Sequence, residues 1–265
     1  MKKREYLPIS ANTLFHFTKN INNLISILKN GFYPRYSLED FSLIAKDIIQ
    51  NDSKIQDDFK DQALPMICFC DIPLTKIKIH VDNYGGYGIG LSKKWGEKNG
   101  LNPIKYINSE SDLSKHYREF ATHARSLYDY RDNKIMGIFF RLFSYVKPYE
   151  GILFKNKKKI TFYDEREWRF IPKITAEDEN NNIAKKVIGK EDYDNKNMLR
   201  EHNKRLKKNF PLHFKEDDIN YILVRNKSQL LKIIATIKKM KSFSSEEKDL
   251  LLTKVISIDQ IFEDF

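Results

Sequence analysis

Cysteine is nearly absent from this chain of 265 residues: Cys68 and Cys70 are the two it has, one residue apart. Such a pair cannot staple a secreted scaffold, and its spacing suits one face of a strand better than a disulfide. The second Cys pair that would complete a four-ligand zinc site is missing as well. No apolar run approaches the roughly 20 residues that cross a bilayer, and no apolar segment follows the charged start Met1-Lys2-Lys3-Arg4. Glycine and proline, at 10 and 8 residues, are too sparse for a collagen-like or low-complexity chain. Neither Gly-x-x-x-x-Gly-Lys-Ser/Thr nor a strand-to-helix Gly-x-Gly-x-x-Gly occurs, which argues against ATPase and Rossmann chemistry. These absences lead to the expectation of a soluble protein in a reducing cytoplasm, with no membrane partner.

What is present can build a core: 41% apolar residues, with 18 Phe, 14 Tyr and 2 Trp. Acidic residues are outnumbered, 36 against 47 Lys and Arg, for a net charge of +11. Much of the excess sits in 184–210, where nine basic residues meet Glu191, Asp192, Asp194 and Glu201. That stretch reads equally as a phosphate-attracting stripe or as a solvated helix face.

Without internal repeats or long linkers, the sequence predicts a single domain over 1–265, with a helical insertion at about 105–150 and a basic insertion at about 180–212. Thr13 to Thr18 reads as a buried strand, followed by a helix capped by Asn20 and closed by Gly31. Ser37 and Asp40 open a second helical pattern through Ile44, Ile48 and Ile49, and the polar stretch 51–62 is expected to face solvent. Met66 to Pro73 reads as a buried strand, and Tyr84 to Leu91, with four glycines, as a strand meeting a helix capped by Ser92. Helices are predicted from Ser111 to about Tyr130 and from Ile135 to Tyr145, then strands at 151–154, 159–163 and 167–171. The last third predicts a strand at Tyr221 to Val224, a helix capped by Ser228, a helix behind the Ser244–Glu247 capping box, and a strand near 255–258. The fold class is α+β.

Two constellations could carry chemistry. His116, Glu119 and His123, at offsets of three and seven, fall near one helix face and could serve a metal-dependent nuclease, but a polar helix face with a Glu–His contact explains them better. The preferred set joins His16 on the first strand, Tyr84 and Tyr87 on the glycine strand, and the pair Glu165 and Glu167.

Two resemblances bear on that set. The segments Leu14-Phe15-His16-Phe17-Thr18 and Asn23-Leu24-Ile25-Ser26-Ile27-Leu28-Lys29-Asn30-Gly31-Phe32 resemble the opening of DarT-like ADP-ribosyltransferases, and Arg166-Glu167-Trp168-Arg169-Phe170-Ile171-Pro172 resembles their catalytic-glutamate strand. The full layout, through Cys68-Phe69-Cys70-Asp71-Ile72-Pro73-Leu74, Tyr84 to Leu91 and Glu165-Arg166-Glu167-Trp168-Arg169, is similar to the AbiGi family of abortive phage-resistance proteins, labelled antitoxins of a two-gene defence system. The first resemblance implies an ADP-ribosyltransferase-like mixed or antiparallel sheet core. It further implies NAD as cosubstrate without a metal, His16 and Thr18 beside the NAD ribose, Tyr84 or Tyr87 on nicotinamide, Arg35 as a phosphate or substrate ligand, and Glu167 as the catalytic carboxylate.

Nicotinamide loss from NAD builds positive charge on the ribose, which a fixed carboxylate stabilises. Read as one strand, Glu165 and Glu167 share a face, so that one holds the ribose while the other orients or deprotonates the acceptor; Arg169 rejoins that face and Trp168 turns to the core. The expectation is therefore a phage-defence ADP-ribosyltransferase acting on a nucleic acid or a protein. Its rival is a non-catalytic, antitoxin-like protein of the same fold that binds a partner toxin or a nucleic acid.

Overall fold

A buried strand, β1 (Thr13–Thr18), opens the fold where the apolar run predicts it. The structure is a computed structural model that describes residues 11–41, 61–128, 133–152 and 159–264. The Asn20 side chain accepts from the Asn23 N–H and starts α1 (Ile21–Asn30), whose Ile21, Leu24 and Leu28 turn to the core.

The next element departs from its local pattern. Ser37 and Asp40 predict a helix start, yet Arg35–Asp40 form β2, antiparallel to the first half of β3 (Asp61–Cys70) over six residue pairs. The ladder hydrogen-bonds the backbone along its whole length and buries Tyr36, which outweighs a capping preference worth about 1 kcal/mol. Ile44, Ile48 and Ile49 lie outside the described residues. So does most of the polar stretch expected in solvent, but its last two residues, Asp61 and Gln62, are buried in β3, with Asp61 2.8 Å from the Lys190 ammonium.

α2 (Lys78–Tyr84) ends on Tyr84, which therefore lies on a helix and not on the glycine strand. Gly85 follows at φ 116°, where a Cβ would stand 2.4 Å from the Thr18 carbonyl oxygen and 2.5 Å from Lys19 Cα. Gly85→Ala is expected to cost about 1–3 kcal/mol through this strained approach. Thermal unfolding checks it; an unchanged midpoint would mean that the β1 end yields freely.

β4 (Tyr87–Ser92) leads into α3 (Lys93–Lys98), with the Ser92 hydroxyl accepting from the Trp95 N–H as predicted. Then come β5 (Asn102–Pro103), β6 (Lys105–Ile107), α4 (Asp112–Tyr128), α5 (Asn133–Phe143), β7 (Val146–Pro148), β8 (Glu150–Ile152) and β9 (Lys159–Thr161). Glu165 belongs to a 3₁₀ turn, Phe162–Glu165, and Arg166 in the left-handed region at φ 47° separates it from β10 (Glu167–Phe170). The two glutamates thus share no strand, so alternation cannot be what aligns them. α6 (Ala176–Asn180), β11 (Ile188–Gly189), α7 (Lys190–Asp194) and α8 (Lys196–Asn209) follow, and then β12 (Ile219–Val224) and α9 (Lys227–Lys239), capped by Asn226 in place of Ser228. The Ser244–Glu247 capping box forms and opens α10 (Ser245–Thr253); β13 (Val255–Ser257) and α11 (Ile258–Asp264) complete the chain's described part.

The main sheet runs β13-β12-β4-β1-β3-β10-β5, with β2 and β11 paired to β3 off that path. Its pairings are antiparallel apart from β12 with β13, so α+β with a mixed sheet is what the chain adopts. Phe15 stands opposite Cys70, and Cys70 opposite Glu167, which puts all three on one face; their chain neighbours His16, Phe69 and Trp168 take the other. Leu14, Leu24, Phe69, Ile89 and Trp95 build the core on the His16 side, whereas Phe15, Cys70, Ile77 and Leu223 build the one behind Cys70. No helix among the described residues is long and apolar enough to cross a membrane.

Candidate functional site

Five ionisable groups from four separate segments meet on the Glu167 face. Arg169, fully buried, donates from Nε to Glu167 Oε1 at 2.7 Å, from Nη2 to Glu39 Oε2 at 2.8 Å, and from Nη1 to the Ser144 carbonyl at 2.7 Å. Lys147 on β7 donates to Glu165 Oε2 at 2.7 Å and to Glu167 Oε2 at 3.1 Å, its ammonium 4.4 Å from the Phe162 ring centroid. Tyr84 donates to Glu165 Oε1 at 2.5 Å, and the Tyr106 hydroxyl accepts from the Glu167 N–H at 2.8 Å. Three carboxylates thus face two cations, linked by charge-assisted hydrogen bonds.

The electrostatics follow from that packing. Burial by itself raises the Glu167 pKa, but Arg169 and Lys147 outweigh it and hold the carboxyl well below its ordinary range. Burial likewise works to discharge Lys147, and Glu167 with Glu165 reverses it, so the ammonium is held well above its ordinary value. Tyr84 and Tyr106 are pushed up by burial, with the nearby carboxylates adding to it, and stay neutral donors. Burial also raises both Cys68 and Cys70, leaving two unreactive thiols. His80 of α2 lies behind the cluster, with its Nε2 3.2 Å from the Glu165 carbonyl oxygen and its Nδ1 buried without a partner.

The sequence-derived set divides across the sheet. Glu165, Glu167 and Tyr84 come together here. His16 lies on the opposite face, with Nδ1 2.8 Å from the Cys68 carbonyl oxygen and its ring against Phe32 and Phe69. Thr18 and Tyr87 stand opposite one another on that same far face, Thr18 accepting from Asn23 and Tyr87 packed on the core. Arg35 is exposed at the start of β2. Trp168 turns to the core and Arg169 to the glutamates, as strand alternation predicts.

Lys147, Glu39, Tyr106 and His80 carry no signal in the sequence: each is a lone polar residue in an unremarkable segment, brought in by tertiary packing. His116 Nδ1 lies 3.1 Å from Glu119 Oε2, with both side chains more than 60% exposed, and His123 is exposed too. Among the described residues no group of three His, Cys, Asp or Glu is placed to hold a metal ion.

Beside Glu165 the surface opens into a cleft of about 300 Å³, lined by Ile79, Asp82, Asn83, Ile160, Thr161 and Asp164 among others. Glu165 borders it; Glu167 does not. Tyr149 and Tyr163 stack nearby at 5.6 Å, each 43% exposed, and Ile152 of β8 is 61% exposed opposite Lys159 of the lining.

Fold and site together define an α+β protein whose central acids are neutralised internally beside an open cleft with exposed aromatic residues near it. The chain belongs to the AbiGi family: the family model described as "Putative abortive phage resistance protein AbiGi, antitoxin" matches residues 30–225. It is 31% identical over 258 residues to the abortive phage resistance protein AbiGi of Lactococcus lactis subsp. cremoris, an alignment that covers 89% of this chain and 100% of that protein. No solved structure matches. The matched segment contains the whole ion cluster and leaves out His16 and Thr18.

Proposed function

We propose that this chain is the non-catalytic, antitoxin-type member of a phage-defence pair, and that it works by binding a partner protein rather than by moving ADP-ribose from NAD. One observation carries the reading: both oxygens of Glu167 are held by Arg169 and Lys147 on the sheet face opposite His16. A transferase needs its carboxylate presented to a developing ribosyl cation. Here two cations, Arg169 and Lys147, hydrogen-bond that carboxylate and offset the negative potential the reaction would draw on.

The family description, an antitoxin, supports the same reading. So does the surface beside the cleft, where Ile79 lines it with Asp82, Asp164 and Glu165, and exposed Ile152, Tyr149 and Tyr163 belong to the adjoining segments. Exposed aromatic and aliphatic anchors beside polar groups are the composition of an interface, and the exposed Asp164 selects a partner carrying Lys or Arg there.

The test has two arms. Purified wild type and Glu167→Gln are incubated with labelled NAD and cell extract, and both are expected to transfer no label and release no nicotinamide. Wild type and Ile152→Asp are then each co-expressed with the second protein of the defence locus; wild type is expected to retain it on purification and the variant to lose it. Label transfer by wild type that disappears in Glu167→Gln would establish the NAD-dependent transferase in place of the binding protein.

A further inference from the structure

The fold sorts the basic residues of 184–210 into two groups. Lys185 reaches Asp192 at 3.5 Å, Lys186 reaches Glu179 at 2.5 Å, Lys190 reaches Asp61 at 2.8 Å, and Arg205 donates to the Asn182 carbonyl. These four are absorbed by the protein itself. The other five, Lys196, Arg200, Lys204, Lys207 and Lys208, all lie on α8 and all are exposed.

At 3.6 residues per turn these five fall within an arc of about 120°, away from Leu199, His202 and Leu206, which turn inward. They form a ridge roughly 18 Å long, with a cation at about every 6 Å along the 196-200-204-208 row. Lys204 approaches the exposed Glu201 at 3.8 Å, whereas Lys196, Arg200 and Lys208 have no carboxylate partner among the described residues. The ridge continues onto the segment that leads into β2. Lys207 sits 4.8 Å above the Tyr33 ring, and Asn203 accepts from the Tyr36 N–H.

Like charges at i,i+4 destabilise a helix by about 0.2–0.5 kcal/mol per pair, and this row contains three such pairs. Lys185, Lys186 and Lys190 meet acids, whereas Lys196, Arg200 and Lys208 meet none among the described residues. An external polyanion removes the repulsion, and regular cations along a straight ridge match a strand whose charges also recur at short, regular intervals. Tyr33, beside Lys207, adds an aromatic face of the kind on which bases stack.

We propose that the α8 ridge, with Tyr33, binds the phosphate backbone of a single nucleic-acid strand without reading its sequence. The site is separate from the Glu165 cleft and stands independently of the partner-binding role.

Fluorescence anisotropy of a short labelled oligodeoxythymidine tests it across a KCl series. Wild type is expected to bind with log K falling against log salt at a slope of about −3, the value for four or five neutralised phosphates on a single strand. Lys196→Gln/Arg200→Gln/Lys208→Gln removes three surface charges and is expected to weaken binding at low salt at least ~10-fold and to reduce the slope by about 2. Lys232→Gln/Lys238→Gln/Lys239→Gln on α9 removes the same charge elsewhere on the exposed surface and is expected to bind like wild type. The proposal falls if wild type does not bind, if both triple variants weaken equally, or if polyglutamate binds as tightly with the same slope, which would assign the ridge to an acidic protein. Tighter binding to a duplex would replace the single strand.

Discussion

Arg169→Met is expected to remove about 3–5 kcal/mol of stability, the range for losing one partner of a buried ion pair. Arg169 is 0% exposed and joins Glu167, Glu39 and the Ser144 carbonyl, so its loss leaves two carboxylates and a carbonyl around an apolar side chain. Lys147 remains near Glu167 but makes no hydrogen bond to Glu39. Urea unfolding of wild type and variant gives the difference. The acids, not lost packing, should account for most of it: adding Glu167→Gln to Arg169→Met is expected to recover part of the loss, a coupling that independent residues would not show. A single variant within about 1 kcal/mol of wild type would mean that water reaches the cluster and that its geometry explains little.

Acid should destabilise the fold in two steps. His16 and His80 are both held below their ordinary pKa by burial, more strongly than their backbone carbonyl contacts oppose it. Below about pH 6.5 the unfolded chain therefore takes up protons that the folded chain refuses, and stability falls as the pH drops through that window. Glu167 adds a second step. Its pKa is depressed in the folded state, so its contribution is complete above about pH 4.5 and is lost as the pH falls below that value. For a salt-bridged carboxylate such a contribution is on the order of 2–3 kcal/mol. Urea midpoints at several pH values between neutral and about 3 should fall through both windows, and His80→Gln should flatten the upper step. A midpoint constant through that range would show that neither the imidazoles nor the carboxylate are shielded as the structure has them.

Local elements were legible wherever the local signal and the tertiary environment agree. The Asn20, Ser92 and Ser244 caps are satisfied within a few residues of themselves, so the sequence marks α1, α3 and α10 directly. β2 was not legible, because its hydrogen bonds go to residues 61–66 and nothing near Ser37 shows that such a partner exists. Tyr84 was misplaced by a few residues, since the glycines that mark β4 also mark the turn that ends α2. In the site, Glu165, Glu167, Tyr84 and Arg169 were all picked out from the sequence, but their roles depend on Lys147, Glu39 and Tyr106, which come from three other segments.

By itself the sequence determined an α+β class, two thiols on one strand face, the alternation that sends Trp168 and Arg169 to opposite sides, and the kinship with AbiGi, because each of these is written in short-range spacing or residue identity. Only the tertiary structure decided which face of the sheet each strand presents to which neighbour. A register offset of one residue turns a side chain from one face to the other, so His16 and Glu167, both on core strands, ended with the sheet between them and Glu167 clasped by two cations.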